Sequence, residues 1–180
     1  MNKLVYVVGN IVDDHILDGK DALVLPTNPK MRYGMGVSEV VFKKAGIDAL
    51  EKYCESKYGV GYDESQNKND MKPTEIRSTP GFGIGRDIIF AQSPNNIYFD
   101  IKEKELFPLL IKTYKNLLSF IKDKGYKNVL MPSLGTGHYG FSHDQVVEKI
   151  IPIINDFLNE NQGIKITMCL YDEATLKHYI

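Results

Sequence analysis

Residues 135–140 read GTGHYG, three glycines spaced as G-x-G-x-x-G, and they follow the apolar run NVLMP at 128–132. Glycine removes the side chain that would stand between a backbone N–H and a ligand, so consecutive N–H groups in such a loop can cradle an anion, above all where a helix begins. A second loop of similar make-up, PTNPKMRYGMGVS at 26–38, follows the apolar run ALVLP. The chemistry these residue types can do together is to wrap a polyanion with a sugar between the loops. Turn formation alone is the competing account of Gly34 and Gly36, since glycine also marks turns and helix boundaries. For Gly135, Gly137 and Gly140 the neighbours Ser133, Thr136 and Tyr139 add hydroxyls and an aromatic face that simple strand-to-helix geometry does not require.

The G-x-G-x-x-G spacing also matches the dinucleotide fingerprint, which normally opens the first strand–helix–strand unit and is followed about 20 residues later by an acidic side chain after a second strand. Here the motif begins the last such unit. The acidic residue at that distance, Glu160, falls at a helix end in FLNENQG. No lysine follows as in a P-loop, so a nicotinamide oxidoreductase and a nucleoside triphosphatase are both disfavoured. PGFGIG at 80–85 has its third glycine one position early and no helical pattern after it, which reads as a hairpin turn.

The elements that must position these loops follow from periodicity. LVYVVGNI reads as a buried strand ended by Gly9, and DALVLPTN as a second strand. Val37, Val40, Val41, Ile47, Leu50 and Cys54 approximate helical spacing, with Gly46 as an interruption and Gly59 as the stop. VGYDESQNKNDMKPTE at 60–75, with almost no apolar content, reads as a surface loop or mobile insertion, its polar stretch being 61–74. EIRST and RDIIFAQS form a hairpin. Residues 103–124 give the strongest helix, with Leu106, Leu110, Tyr114, Leu117 and Ile121 on one face and Pro108 within its first turn or so. HDQVVEKIIPIINDFLNE is a helix kinked at Pro152, IKITMCLY a strand and DEATLKHYI a short helix. Alternation of strands and helices predicts an α/β protein with a largely parallel sheet covered on both faces. In such a sheet, ligands bind outside the carboxyl ends of the strands, where both glycine loops fall.

With 180 residues, a hydrophobic share of 43% and a charged share of 25%, the chain suits one domain spanning 1–180. No apolar run reaches the roughly 20 residues a membrane helix needs, and the start of the chain turns polar too soon for a signal peptide, so a cytoplasmic protein is expected. A monomer is the expectation for its assembly, although no residue pattern speaks to it. A net charge of -1 lacks the footprint of a general nucleic-acid binder. Cys54 and Cys169 have neither a clustered histidine nor a C-x-x-C partner, so they are expected to be buried free thiols, with no metal and no cofactor. His15, His143 and His178 show no partner pattern and are assigned surface or capping roles.

Read together and in order, these pieces resemble the macrodomain family, the ADP-ribose-binding modules, over nearly the whole chain. GNIVDD is similar to the family's G-D-I turn, DALVLPTNP to its D-A-I-V-N-A-A-N strand end, YGMGVSEVVFKKAG to its G-G-G-V-x-x-A-I-x-x-A-G loop and helix, and PSLGTGHYGFS to its P-x-I-S-T-G-x-Y-G-Y-P loop. The resemblance implies a three-layer α/β/α sandwich with a mixed central sheet. It implies that Asn10 and Ile11 flank the adenine and Tyr171 stacks near it. It also implies that Asn28 bonds the distal ribose, that Gly34, Gly36 and Val37 close over that sugar and its phosphate, and that Ser133, Gly135, Thr136, Gly137, His138, Tyr139 and Gly140 line the diphosphate channel. Tyr33 either covers the distal ribose or simply packs. Two positions depart from the family: Asn10 stands where it has an adenine-reading Asp, and Ser38 where its hydrolase branch has an Asp thought to assist the attacking water. Candidate catalytic groups are Asn28, Ser38, Glu39 and His138. Glu39 has the competing role of a solvated carboxylate at a helix start, and His138 that of a loop wall. The implied activity is hydrolysis of an ADP-ribosyl linkage at the distal ribose, the alternative being a reader without turnover; the implied partner is ADP-ribose or an ADP-ribosylated macromolecule.

Overall fold

In the computed structural model, which describes residues 2–180, six strands form one sheet in the order β1-β6-β5-β2-β4-β3. They are β1 (Val5–Val8), β2 (Ala22–Pro26), β3 (Ile76–Thr79), β4 (Asp87–Ala91), β5 (Asn128–Pro132) and β6 (Lys165–Leu170). All neighbours are parallel except β3 and β4, which pair antiparallel as the hairpin expected around PGFGIG. Helices cover both faces: α1 (Asp14–Leu17), α2 (Val37–Ala45) and α3 (Ile47–Tyr58) on one side, α4 (Glu103–Lys124) and α6 (Ile151–Glu160) on the other, with the short α5 (His143–Gln145) and α7 (Glu173–Leu176) at the loop ends.

The layering follows from the two-residue period of a strand. In β2, Ala22 and Val24 face the α4 and α6 side, packing near Tyr114, Leu117 and Ile154, while Leu23 and Leu25 face Val41, Phe42 and Leu50 on the other. In β4, Ile89 and Ala91 take the first face and Ile88 and Phe90 the second. A strand apolar on both faces can be stable only between two helical layers, so these continuous runs specify the three-layer sandwich. At the opposite end of the sheet from the glycine loops, the Asp21 carboxylate accepts from the N–H groups of Lys127 and Asn128 at 2.7 and 2.8 Å, which sets β2 and β5 level.

The helix punctuation is as the glycines predict. Gly46, at φ 100°, separates α2 from α3, and Gly59 ends α3 in the left-handed conformation at φ 69°. Four expectations are corrected or refined. The first strand is not buried: β1 lies at the sheet edge, bonded only to β6, and Val5 is 56% exposed. The irregularity expected at Pro152 takes the form of a π-helical turn over Val146–Ile150 before α6. Proline has no N–H for the carbonyl four residues back, and the wider turn absorbs that missing bond.

Segment 61–74 is superficial but folded onto the first glycine loop. It contains a 3-10 turn over Glu64–Asn69, Met71 is fully buried, and the Met71 N–H donates to the Pro29 carbonyl at 2.7 Å. Lys30 Nζ donates to the Gly61 carbonyl at 2.9 Å and to Asn67 Oδ1 at 2.8 Å. Lastly, His143 and His178 do have partners, supplied from opposite ends of the final third of the chain: the rings stack with centroids 5.3 Å apart, and His178 Nδ1 lies 2.9 Å from Asp144 Oδ1. Cys54 and Cys169 are buried free thiols, as expected.

Candidate functional site

Both glycine loops leave the carboxyl ends of adjacent strands, β2 and β5, and a single side chain ties them together: the Tyr139 hydroxyl donates to the Thr27 carbonyl at 3.0 Å. Burial pushes the Tyr139 phenol above its ordinary range, so it stays a donor at neutral pH.

The loop after β5 is folded on itself. Phe141 N–H donates to the Gly135 carbonyl at 2.9 Å, Gly140 N–H to the Gly137 carbonyl at 3.1 Å, and Thr136 Oγ1 to the Ser133 carbonyl at 3.0 Å. Gly135 has φ +81°, and a Cβ there would meet Phe141 at 2.7 Å and Leu110 at 3.2 Å. Its glycine is therefore a requirement of the fold. Gly137 is different: an added Cβ would meet nothing within 4 Å, and its φ is not positive. Among the described residues, the N–H groups from Gly135 to Tyr139 donate to no protein acceptor. Such a run of free donors, on a loop pinned from both sides, can accept an anion.

The loop after β2 is braced from outside the sheet. Asn28 Nδ2 donates to the Arg32 carbonyl at 2.8 Å and its Oδ1 accepts from Arg32 N–H at 3.1 Å, so the amide expected to read a ribose serves first as the strut of its own loop. Arg32, 7% exposed, pairs with Glu51 at 3.2 Å and Glu55 at 2.6 Å and lies 4.5 Å from the centre of the Tyr62 ring. Lys30 pairs with Asp70 at 3.2 Å. The two cations of this loop are thus matched by carboxylates, which leaves dipoles rather than free charge to hold an anion.

Gly34 lies over Ser38 and Asn28: a Cβ built on it would be 3.5 Å from Ser38 Oγ and 3.6 Å from Asn28 Nδ2. Ser38 Oγ is buried and makes no hydrogen bond, a hydroxyl held beneath the loop. Gly36, at φ +68°, starts α2, so Val37 and Ser38 contribute the free N–H groups of the helix's first turn. Glu39 is on the outside, 2.6 Å from Lys43 Nζ, and that ammonium holds its carboxyl below the usual range. It is a paired surface carboxylate, remote in role from Ser38 although adjacent in sequence. Tyr33 is part exposed, its ring edge-on to Phe42 at 6.4 Å, and its N–H donates to Glu51.

At the other end of the same sheet edge, Gly9 N–H donates to the Leu170 carbonyl at 3.0 Å, which sets the 9–13 turn beside Tyr171. Tyr171 is 87% exposed and offers an uncovered aromatic face. Asn10 Oδ1 accepts from Val12 N–H at 3.2 Å. The Ile11 side chain, 5% exposed, belongs to the core beside α1 and α2. His138 stands exposed at the rim, its ring centroid 6.2 Å from that of Tyr139, and with Phe107, Phe141 and Gln145 it borders a cavity of about 500 Å³. Ser133 Oγ is bonded to Tyr179 OH at 2.7 Å.

The fold therefore gathers along one edge an exposed aromatic at β6, a nest of free N–H groups at β5, and a glycine loop over Asn28 and Ser38 at β2. Sequence reasoning missed Thr27, Arg32 and Tyr179. Thr27 joins the two loops through its carbonyl, which no residue type reveals, and the partners of Arg32 and Tyr179 are distant in sequence.

Comparison with known proteins identifies the family and the fold. The Macro domain family profile matches residues 24–150. Over 173 residues the chain is 24% identical to the O-acetyl-ADP-ribose deacetylase of Enterobacter cloacae subsp. cloacae, covering 95% of this chain and 88% of that protein. Among solved structures, the Oceanobacillus iheyensis macrodomain with MES bound superposes with a TM-score of 0.82 at 26% identity, covering 99% of this chain and 88% of that one. A glycine-to-valine mutant of the same macrodomain, solved with ADPR, gives a TM-score of 0.81 at 27% identity, with 99% and 90% covered. The Trypanosoma brucei macrodomain shares the fold at 21% identity and a TM-score of 0.74, covering 98% of this chain and 67% of that one.

Proposed function

The chain belongs to the Macro domain family, and on that premise we propose that its cleft binds ADP-ribose and hydrolyses an acyl ester or ADP-ribosyl linkage at the distal ribose. The observation that carries the reading is the run of free N–H groups from Gly135 to Tyr139, latched to the β2 loop through Tyr139 and Thr27. A diphosphate suits that cradle, because its oxygens accept from several backbone donors at once and need no side-chain cation. An adenine finds a stacking face in Tyr171, and the sugar beyond the diphosphate reaches Asn28 beneath Gly34. The relatives named as O-acetyl-ADP-ribose deacetylases and the ADPR-bound neighbour support both the ligand and the hydrolase class.

For an ester, water adds to the acyl carbon, the bond from that carbon to the ribose oxygen breaks, and the ribose hydroxyl leaves with a proton. Two glycine loops contribute by holding the ester and water in register and by turning N–H dipoles toward the developing oxyanion. Ser38 favours a second reading, a module that binds ADP-ribose without turnover. A buried, unpartnered hydroxyl supplies no base where a carboxylate would, and the adjacent Glu39 is engaged with Lys43.

Calorimetric titration with ADP-ribose, with NAD and AMP as controls, tests the ligand; saturable one-to-one binding is expected for ADP-ribose. Incubation with O-acetyl-ADP-ribose and with ADP-ribosylated protein then separates the two readings. Release of acetate or of ADP-ribose supports the hydrolase, and binding without either supports the reader.

A further inference from the structure

The hydroxyl of Tyr179 touches both ends of the loop that carries the N–H cradle. At the loop's entry, Ser133 Oγ lies 2.7 Å from it, and just past the loop's exit His143 Nδ1 lies 2.8 Å from it. Tyr179 is 8% exposed and is itself fixed by the Tyr6 ring, 5.6 Å away on β1. Beneath Ser133 the next residue is also held by a phenol, as Leu134 N–H donates to the buried Tyr114 OH at 2.7 Å. Beyond His143 the stack continues to His178 and Asp144. A backbone cradle works only if its donors are already in place when the anion arrives, and a loop of this length would otherwise lose entropy on binding.

We propose that Tyr179 is a positioning residue for the diphosphate loop, its one hydroxyl fixing the distance between Ser133 and His143 so that the N–H groups between them are pre-set for a pyrophosphate. The inference rests on the ADP-ribose reading of the cleft. Two proton orders satisfy both hydrogen bonds; in the one proposed, Ser133 donates to Tyr179 and Tyr179 donates to His143 Nδ1, which places the imidazole hydrogen on Nε2. Burial and the neighbouring His178 hold His143 below its ordinary range, so the neutral ring this order needs persists at neutral pH.

The test uses the whole chain with Tyr179→Phe, Ser133→Ala and the double variant, titrated with ADP-ribose at a temperature well below melting. Phenylalanine keeps the ring against Tyr6 and removes only the bridge. Tyr179→Phe is expected to weaken ADP-ribose binding about five- to tenfold, in line with losing one to two hydrogen bonds' worth of pre-organisation. Ser133→Ala should do the same, and the double variant should be little worse than either, since both cut one link. Nitrogen-detected NMR should find His143 as the Nε2–H tautomer in the parent protein and as a mixture in Tyr179→Phe. A purely structural tyrosine would lower the melting temperature and leave the Kd of the folded protein unchanged, which would overturn the inference, as would additive losses in the double variant. Absence of ADP-ribose binding in the parent protein would instead refute the ligand reading, and this inference with it.

Discussion

Gly137→Glu separates a ligand-binding glycine from a folding glycine. The position has open space around an added Cβ and a φ outside the positive region, so a side chain there should change stability by no more than about 0.5 kcal/mol. A carboxylate carried on the cradle would stand on the order of 5 Å from the diphosphate. Coulomb repulsion at that distance is about 1 kcal/mol in water and about 3 kcal/mol at the effective dielectric of a protein surface, or about 5- to 150-fold in Kd. Gly137→Gln, with the same bulk and no charge, isolates the steric part. The Glu-to-Gln gap should narrow as salt is raised from 0.1 M to 1 M and the Debye length contracts from about 10 to about 3 Å. Calorimetry with ADP-ribose and a thermal melt of each variant are sufficient. Equal affinity of the Glu variant and the parent protein, or equal losses for Glu and Gln at low salt, would refute the placement of the diphosphate against Gly137.

Three further outcomes follow from the same coordinates. Gly135→Ala should destabilise the protein by about 2–4 kcal/mol, from the left-handed backbone and the 2.7 Å approach to Phe141, and lower the melting temperature by about 5–10 °C; a melt within about 2 °C of the parent would contradict it. His143, held low by burial and then by His178, contributes stability that is fully present above its unfolded value near 6.5. That stability is lost as pH falls from there through the folded value, because the unfolded chain takes the proton first; His143→Gln should flatten this acid slope in urea midpoints measured from pH 5 to 7.5. Burial pushes the Cys54 thiol up to about 12 and the Cys169 thiol to about 11, so neither should react with a disulfide reagent at pH 8 until the chain unfolds; fast labelling of the folded protein would show the packing to be wrong.

What was legible in the sequence is what local chemistry dictates. The two-sided apolar runs of β2 and β4, the heptad-like face of α4, and the glycines at 46 and 59 each specify their element without reference to the rest of the chain. What was not legible depends on neighbours. LVYVVGNI has the composition of a buried strand, yet only the topology decides that β1 has a partner on one side. The 61–74 segment is polar along most of its length, and its attachment to the fold comes from Met71 and from Lys30, whose partners lie 31 to 40 residues further along the chain, a pairing no local pattern encodes.

The site divides in the same way. Glycine positions announced themselves, but their roles did not: Gly135 serves packing and Gly137 is free to serve a ligand, a distinction set by Phe141 and Leu110 rather than by the motif. Side chains told the reverse story. Asn28, Ser38 and Glu39 looked alike as polar candidates at one loop, and burial sorts them into a strut, an orphaned hydroxyl and a solvated ion pair. Lys30 and Arg32 could have been counted as phosphate ligands, yet each is matched by carboxylates of α3 or the 3-10 segment, so they hold the loop in shape. On the proposed reading the glycine loops meet an anion with backbone dipoles, and the charged residues around them act one layer back, keeping those dipoles where the anion will need them.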